Sequence, residues 1–164
     1  MKSSPLIIDQ VLLDTVSLEA GVSPRRRKNR NFHEHDADPA HRLLNAIEPG
    51  SYVAPHRHLD PNKDETMIVL RGRLGMVFFD EAGQVTQTAV LAADGTACGV
   101  NIPHGVYHTV LACQPGTVFF EAKAGPYVPL DEAERAPWAP GENEPGAAAY
   151  AQSLRELFGA LGAD

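Results

Sequence analysis

ETMIVLRGRLGMVFFDEAGQVTQTAVL, residues 65–91, is the stretch that decides how the rest of the chain is read. It holds three short runs rich in β-branched and aromatic residues, parted by Gly72 and by the turn-like EAGQ at 81–84. Runs this short, closed by turn residues, are strands rather than helices. The pattern extends outward in both directions: HRLLNAIE (41–48) and SYVAPHRH (51–58) precede it, and ACGVNI (97–102), VYHTVLA (106–112) and TVFFEAKA (117–124) follow. The separators are Pro49-Gly50, the LDPNKD loop, AADG, Pro103-His104-Gly105 and Gln114-Pro115-Gly116. About eight strands at roughly 8–12 residue spacing, with no helix between them, read as an all-β protein, an antiparallel β-barrel or jelly roll. MIVL and MVFF are apolar on both faces. One face lines an interior; the other needs cover from the N-terminal segment or from a second copy, so a homodimer is expected.

The chain's 164 residues suit one domain with a single core. Three parts are expected: an N-terminal helix and basic connector (1–40), the barrel (41–125), and an irregular segment followed by an amphipathic helix (126–164). The first helix is placed over about 8–20, ending at Gly21. The last is marked by Tyr150, Leu154, Leu157, Phe158 and Leu161 at helical spacing. Trp138 and Tyr127 are expected to pin the proline-rich segment before it. A net charge of −7 argues against a nucleic-acid binder, which needs a cationic footprint. The one basic run, SPRRRKNRN at 23–31, reads as a solvated connector or as a segment packed on the barrel with its arginines paired to acids, with an arm that grips an anion or nucleic acid as the rival reading. No run approaches the roughly 18 apolar residues of a membrane span. Two cysteines, Cys98 and Cys113, make no framework and suit reduced thiols in the cytoplasm.

Residues two apart on a strand share a face, which would put Tyr52, Ala54, His56 and His58 on one side. Two imidazoles about 7 Å apart on a strand can converge on one ion, and Glu65 opens the next strand. PHGVYH at 103–108 offers a fourth ligand, His108, on the strand leaving a tight turn. The bland alternative is a pair of polar side chains on a solvent face. His33, His35 and His41 show that histidines cluster elsewhere in the chain, and His104 is most simply an exposed turn residue.

The combined pattern is more demanding than its parts. Gly50, His56, His58, Glu65 and Gly72, then Pro103, Gly105 and His108, resemble the two motifs of the cupin superfamily. The loop before Glu65 is longer than the family usually has, so Asp60 and Asp64 compete with Glu65 for its place. The leading glycine of the second motif, Gly95 or Gly99, is poorly placed, and Ala112 stands where an asparagine is frequent. Residues 23–150, and GPYVPLDEAERAPWAP (125–140) in particular, resemble more narrowly the WbuC-like cupins associated with surface-polysaccharide gene clusters. The resemblance implies one divalent transition metal (iron, manganese, nickel or zinc) on His56, His58, Glu65 and His108. It further implies a small-molecule substrate such as a sugar or sugar nucleotide, with isomerase-like, epimerase-like or oxygenase-like chemistry. A metal-dependent module that binds a sugar acid without turning it over is the rival. Tyr52, Glu121, Lys123 and Tyr127 are the candidate catalytic residues, Tyr127 as part of a lid. Arg42 and Lys63 are candidate anion holders. The irregular loop also predicts that Glu65→Gln is milder than loss of a histidine.

Overall fold

Asp9 starts the first helix by accepting a hydrogen bond from the Leu12 N–H at 2.9 Å, an N-cap arrangement that satisfies one of the orphan donors of the first turn. Helix α1 runs Gln10–Val22, one residue past Gly21. This computed structural model describes residues 4–159.

The basic run is not a solvated connector but the packed, acid-paired alternative: Arg25 and Arg27 pair with Glu142, and its second half is a strand. After a turn at Arg26, whose φ is 55°, β1 (Arg27–Asn31) pairs antiparallel with β2 (Ala40–Ile47), Arg27 opposite Ile47 and Asn29 opposite Asn45. The other strands are β3 (Glu65–Arg71), β4 (Arg73–Phe79), β5 (Val85–Ala92), β6 (Gly99–Ile102), β7 (Tyr107–Ala112) and β8 (Thr117–Ala124). They form a five-stranded sheet, β1-β2-β8-β3-β6, facing a three-stranded sheet, β5-β4-β7, with every pairing antiparallel. This is the two-sheet jelly roll expected from the sequence.

Two glycines make the turns possible. Gly72, at φ 79°, lets the chain pass between sheets where a Cβ would collide with Thr117; Gly105, at φ 83°, closes the turn before β7.

SYVAPHRH is not a regular strand. Pro55 has no N–H to give a ladder, and the segment makes single bridges instead. The His56 N–H donates to the His108 carbonyl at 3.1 Å and the His108 N–H to the His56 carbonyl at 2.9 Å. On the other side, the Arg57 N–H donates to the Glu134 carbonyl and the Ala136 N–H to the Pro55 carbonyl. The segment is held between β7 and the proline-rich stretch.

Ile47, Met67, Val69, Leu74, Met76 and Phe119 fill the space between the sheets. The outer face of the larger sheet, with Leu44, Ala46 and Val118, is covered by Leu12, Leu13, Val16 and Ala20 of α1. Each such aliphatic side chain taken out of water contributes roughly 1.5–3 kcal/mol. The outer face of the smaller sheet, with Val77, Phe79, Tyr107 and Leu111, is covered by Trp138 and by helix α2 (Ala147–Glu156) through Ala151 and Leu154. Cover for the doubly apolar strands therefore comes from the same chain. Trp138 pins the proline-rich segment against Phe79 and Tyr107, whereas the Tyr127 side chain stays 60% exposed. Phe158 joins the α2 cluster, Leu157 is 44% exposed, and Leu161 lies outside the described residues.

Candidate metal centre

Three histidines and one carboxylate meet at one end of the interior. Glu65 begins β3 and His108 stands second on β7, facing it across the sandwich; the bridge to His108 fixes His56, and His58 follows two residues on. His56, His58 and Glu65 each offer a ligand atom within 4.8 Å of the others. His58 Nε2 lies 3.2 Å from Glu65 Oε1, and His108 Nε2 lies 2.9 Å from Glu65 Oε2. The Nδ1 atoms of His56 and His108 face the backbone carbonyls of Ala54 and Val106 at 3.0 and 2.9 Å. That arrangement sets both Nε2 atoms toward the shared space.

The fit to a cation rests on unpartnered atoms. His58 Nε2, His108 Nε2 and Glu65 Oε2 are buried without a hydrogen bond of acceptable geometry, although the imidazole–carboxylate separations are short. Buried polar atoms left this way are costly, and atoms that approach without aligning toward one another are arranged for a common partner. Imidazole nitrogen and carboxylate oxygen are the donors that zinc, iron, manganese and nickel accept. Burial, reinforced by His108 and His58, pushes the His56 imidazole down to about 3, so it is held neutral with its lone pair available. For Glu65, burial favours the protonated form, but His108, His58 and Lys123 outweigh it and hold the carboxyl well below its usual range.

Beside the cluster, Lys123 Nζ is 2.8 Å from Glu65 Oε1 and 3.0 Å from Glu121 Oε1. Asn45 Nδ2 donates to Glu121 Oε2 at 2.7 Å. Burial and the neighbouring Glu65 raise the Glu121 carboxyl above its ordinary value despite Lys123. Burial opposes the Lys123 charge, yet the two carboxylates raise it above the usual lysine value.

The cluster opens onto two cavities. One of about 390 Å³ runs along the inner face of the larger sheet to β1 and is lined by Glu65, His56, His108, Glu121, Lys123 and Arg27 among others. A second, of about 210 Å³, approaches His56 and His58 from beneath the segment 126–130, with His41, Lys63 and Tyr127 in its walls. Glu121, Lys123 and Tyr127 thus lie on one or other approach. Tyr52 does not. The alternation that would have aligned it with the histidines fails in an irregular segment, and its ring packs on Tyr150 while its hydroxyl donates to the Pro140 carbonyl at 2.7 Å. Arg42 lines a shallow depression near Phe32 and Phe120, away from the cluster, and Lys63 donates to the Pro126 carbonyl at 2.9 Å. Asp60 caps its own loop through Asn62 and Asp64 pairs with His104, which leaves the ligand position to Glu65.

Sequence reasoning missed His41, Asn45 and Arg27. His41 is opposite Lys123 and Asn45 opposite Phe119, so both follow from strand register once β2 is paired with β8. Arg27 was passed over because the basic run was read as solvated or paired to acids on the barrel, not as a strand lining the cavity.

A family model described as a domain of unknown function (DUF6016) matches residues 8–91. No curated protein sequence matches the chain. Among solved structures, the conserved SPY1581 protein of unknown function from Streptococcus pyogenes is similar at 12% identity, covering 77% of this chain and 93% of that one, with a TM-score of 0.52. KdgF from Halomonas sp. aligns at 15% identity over 65% and 85% of the two chains, TM-score 0.49. A cupin-2 domain containing protein from Shewanella frigidimarina aligns at 24% identity over 60% and 80%, TM-score 0.45. Among the described residues no helix is long and apolar enough to cross a membrane.

Proposed function

The chain belongs to the DUF6016 family, and from its site we propose a cupin-type mononuclear metal centre on His56, His58, Glu65 and His108, serving an enzyme that acts on a small polar metabolite. The observation that carries this is the set of buried, unpartnered Nε2 and Oε2 atoms converging at the end of an open cavity. Structural zinc is normally closed by four protein ligands at the protein's own convenience, whereas a centre reached by cavities suits chemistry on a ligand.

When bound, an iron, manganese, nickel or zinc ion would supply charge stabilisation to a substrate oxygen, or a place for dioxygen beside the substrate. The chain's own groups handle the proton. The Glu121 carboxyl lies within the same cavity with its proton affinity raised, fixed by Asn45 and adjoining the protonated Lys123. A carboxyl so tuned can take a proton from a bound hydroxy compound and return it at a neighbouring atom, as isomerisation or epimerisation needs. Val53, Met67, Val110 and Phe119 line the walls and limit water. A sugar or sugar nucleotide substrate, and a role in surface-polysaccharide synthesis in the cytoplasm, are proposed on the resemblance of residues 125–140 to WbuC-like cupins alone.

A second reading, a module that binds a sugar acid without turnover, is favoured by one feature. Lys123 is already engaged by two carboxylates and is not free to act on a substrate. Metal content of the untagged protein, with a His108→Ala control, tests the centre. About one equivalent that is lost in the variant supports it, and no metal in either protein after reconstitution refutes it. Turnover screens on the loaded protein then separate the two readings. A homodimer is part of the proposal. The outward face of α1 leaves Val11, Leu18 and Val22 72%, 72% and 87% exposed. Light scattering at micromolar concentration that returned a monomer would remove it.

A further inference from the structure

The larger cavity does not end at the metal centre. It continues along the sheet to the edge strand β1, where Arg25, Arg27 and Lys28 line it; with Lys123 at the other end, four cations stand against Glu65 and Glu121 in the walls and against Glu142, which pairs with Arg25 and Arg27. The chain as a whole carries −7, yet at the β1 end three cations face the single carboxylate Glu142, a local positive excess. Arg27 faces inward, since it stands opposite Ile47, a member of the interior core. Its three contacts among the described residues, to Glu142, Ser51 and the Tyr52 carbonyl, all use Nη1. Nε and Nη2 remain as a pair of parallel donors, the fork that matches a carboxylate or phosphate. The side chain is only 18% exposed, so an anion there would be largely shielded from salt and water.

Resting on the metal-centre reading, we propose that β1 supplies an anion subsite: Arg27 binds the terminal oxyanion of an elongated polyhydroxy acid whose other end reaches the histidine–carboxylate cluster. The spacing sets the length. Arg27 is tied to the Tyr52 carbonyl at 3.0 Å, four residues before His56. Four extended residues span at most about 14 Å, and the His56 side chain shortens that further, so the ligand between guanidinium and cluster is limited to roughly 10 Å or less. That suits a chain of about six carbons with an anionic group at its far end. Asn29, opposite Asn45 and in the same wall, faces the hydroxylated middle of such a molecule. Glu142 sets the subsite's strength. It holds Arg25 and Arg27 at 2.7 Å each and competes with the ligand for the same charge.

The test compares affinities of the manganese-loaded protein for D-gluconate, which lacks the distal anion, with D-glucarate and phosphogluconate, which carry it as carboxylate or phosphate. The wild-type protein is expected to prefer at least one of the latter pair by about tenfold, the size of a charge-assisted bidentate contact. Which of the two wins identifies the natural oxyanion. Arg27→Gln is expected to erase the preference while leaving gluconate binding and metal content unchanged. Glu142→Gln is expected to widen it. A merely structural role for the Arg27–Glu142 pair would move both variants in the same direction and overturn the proposal, as would a preference that survives Arg27→Gln. If Arg27→Gln does not fold, the direction of the Glu142→Gln change decides alone. Loss of metal and of gluconate binding, with the distal-anion preference intact, would sink the metal-centre reading and leave the anion subsite standing.

Discussion

Lys123→Met removes one cation from between two buried carboxylates and leaves an apolar side chain of similar length. Lys123 Nζ bridges Glu65 and Glu121 at 2.8 and 3.0 Å, and those residues are 3% and 8% exposed. Breaking a buried pair from one side typically costs about 3–5 kcal/mol, because the remaining charge is stranded. The lower end, about 3 kcal/mol, applies here, since Glu121 can escape by taking a proton. At roughly 2–4 °C per kcal/mol for a chain of this size, the metal-free variant should melt about 6–12 °C below the wild type. The pH dependence has a definite sign. Glu121 is raised above its ordinary 4.5 in the folded protein, so the folded state binds the extra proton and stability falls as pH rises through that window. Without Lys123 the rise is larger. Glu65 meanwhile loses part of what holds it low, and with it stability that is present only above 4.5. The Glu65 loss is therefore already in place at pH 5 and stays constant above it, while the Glu121 effect makes the variant's deficit grow from pH 5 toward pH 8. Thermal unfolding of chelator-treated protein, followed by circular dichroism across about pH 5–8, measures it. Manganese should recover more of the melting temperature in the variant than in the wild type, because the ion replaces the missing positive charge. A deficit under about 2 °C, or one that shrinks as pH rises, would refute the reasoning.

Other perturbations report on different parts of the molecule. His56→Ala and His108→Ala should each release the metal while the circular dichroism of the folded chain persists; full metal content in either variant would remove that residue from the ligand set. Glu65→Gln, expected from the loop length to be milder, should instead release metal as completely as His108→Ala, because both Glu65 oxygens meet histidine nitrogens. Trp138→Ala, which empties the space beside Phe79 and Tyr107, should cost about 3–5 kcal/mol in urea unfolding, and a loss below about 1 kcal/mol would mean that the proline-rich segment is held by its backbone alone. Glu142, held down to about 2 first by the Arg25 hydrogen bond and then by Arg27, contributes stability that is full above its ordinary 4.5 and is lost as pH falls toward 2. Acid unfolding of Glu142→Gln should lack that portion of the transition, and superimposable acid curves would deny the pair any role in stability.

The strands from β3 to β8 were legible because each is a short apolar run closed by a glycine or proline turn, and TVFFEAKA matches β8 residue for residue. His56, His58 and His108 were legible because their spacing is local and their turn residues are distinctive. Tyr52 was misplaced because strand alternation was assumed through Pro55, where no ladder continues. Arg27 was missed for a different reason. Arginine, lysine and asparagine carry no β signal of their own, and the strand RKNRN exists through pairing with the next strand, β2, rather than through local propensity. Register also decides which side of β1 meets the cavity, and register is not written in the run itself.

That edge strand has one more consequence. β1 ends the larger sheet, and the outer edge of a sheet offers unpaired amide and carbonyl groups to any strand that drifts near. Four of its five residues are exposed, and three of the five are arginine or lysine. A neighbouring molecule that tried to extend the sheet in register would bring these cations against its own. The segment that we assign to gripping an anion is therefore also expected to oppose edge-to-edge growth at high concentration, and neutralising it to cost solubility before it costs folding.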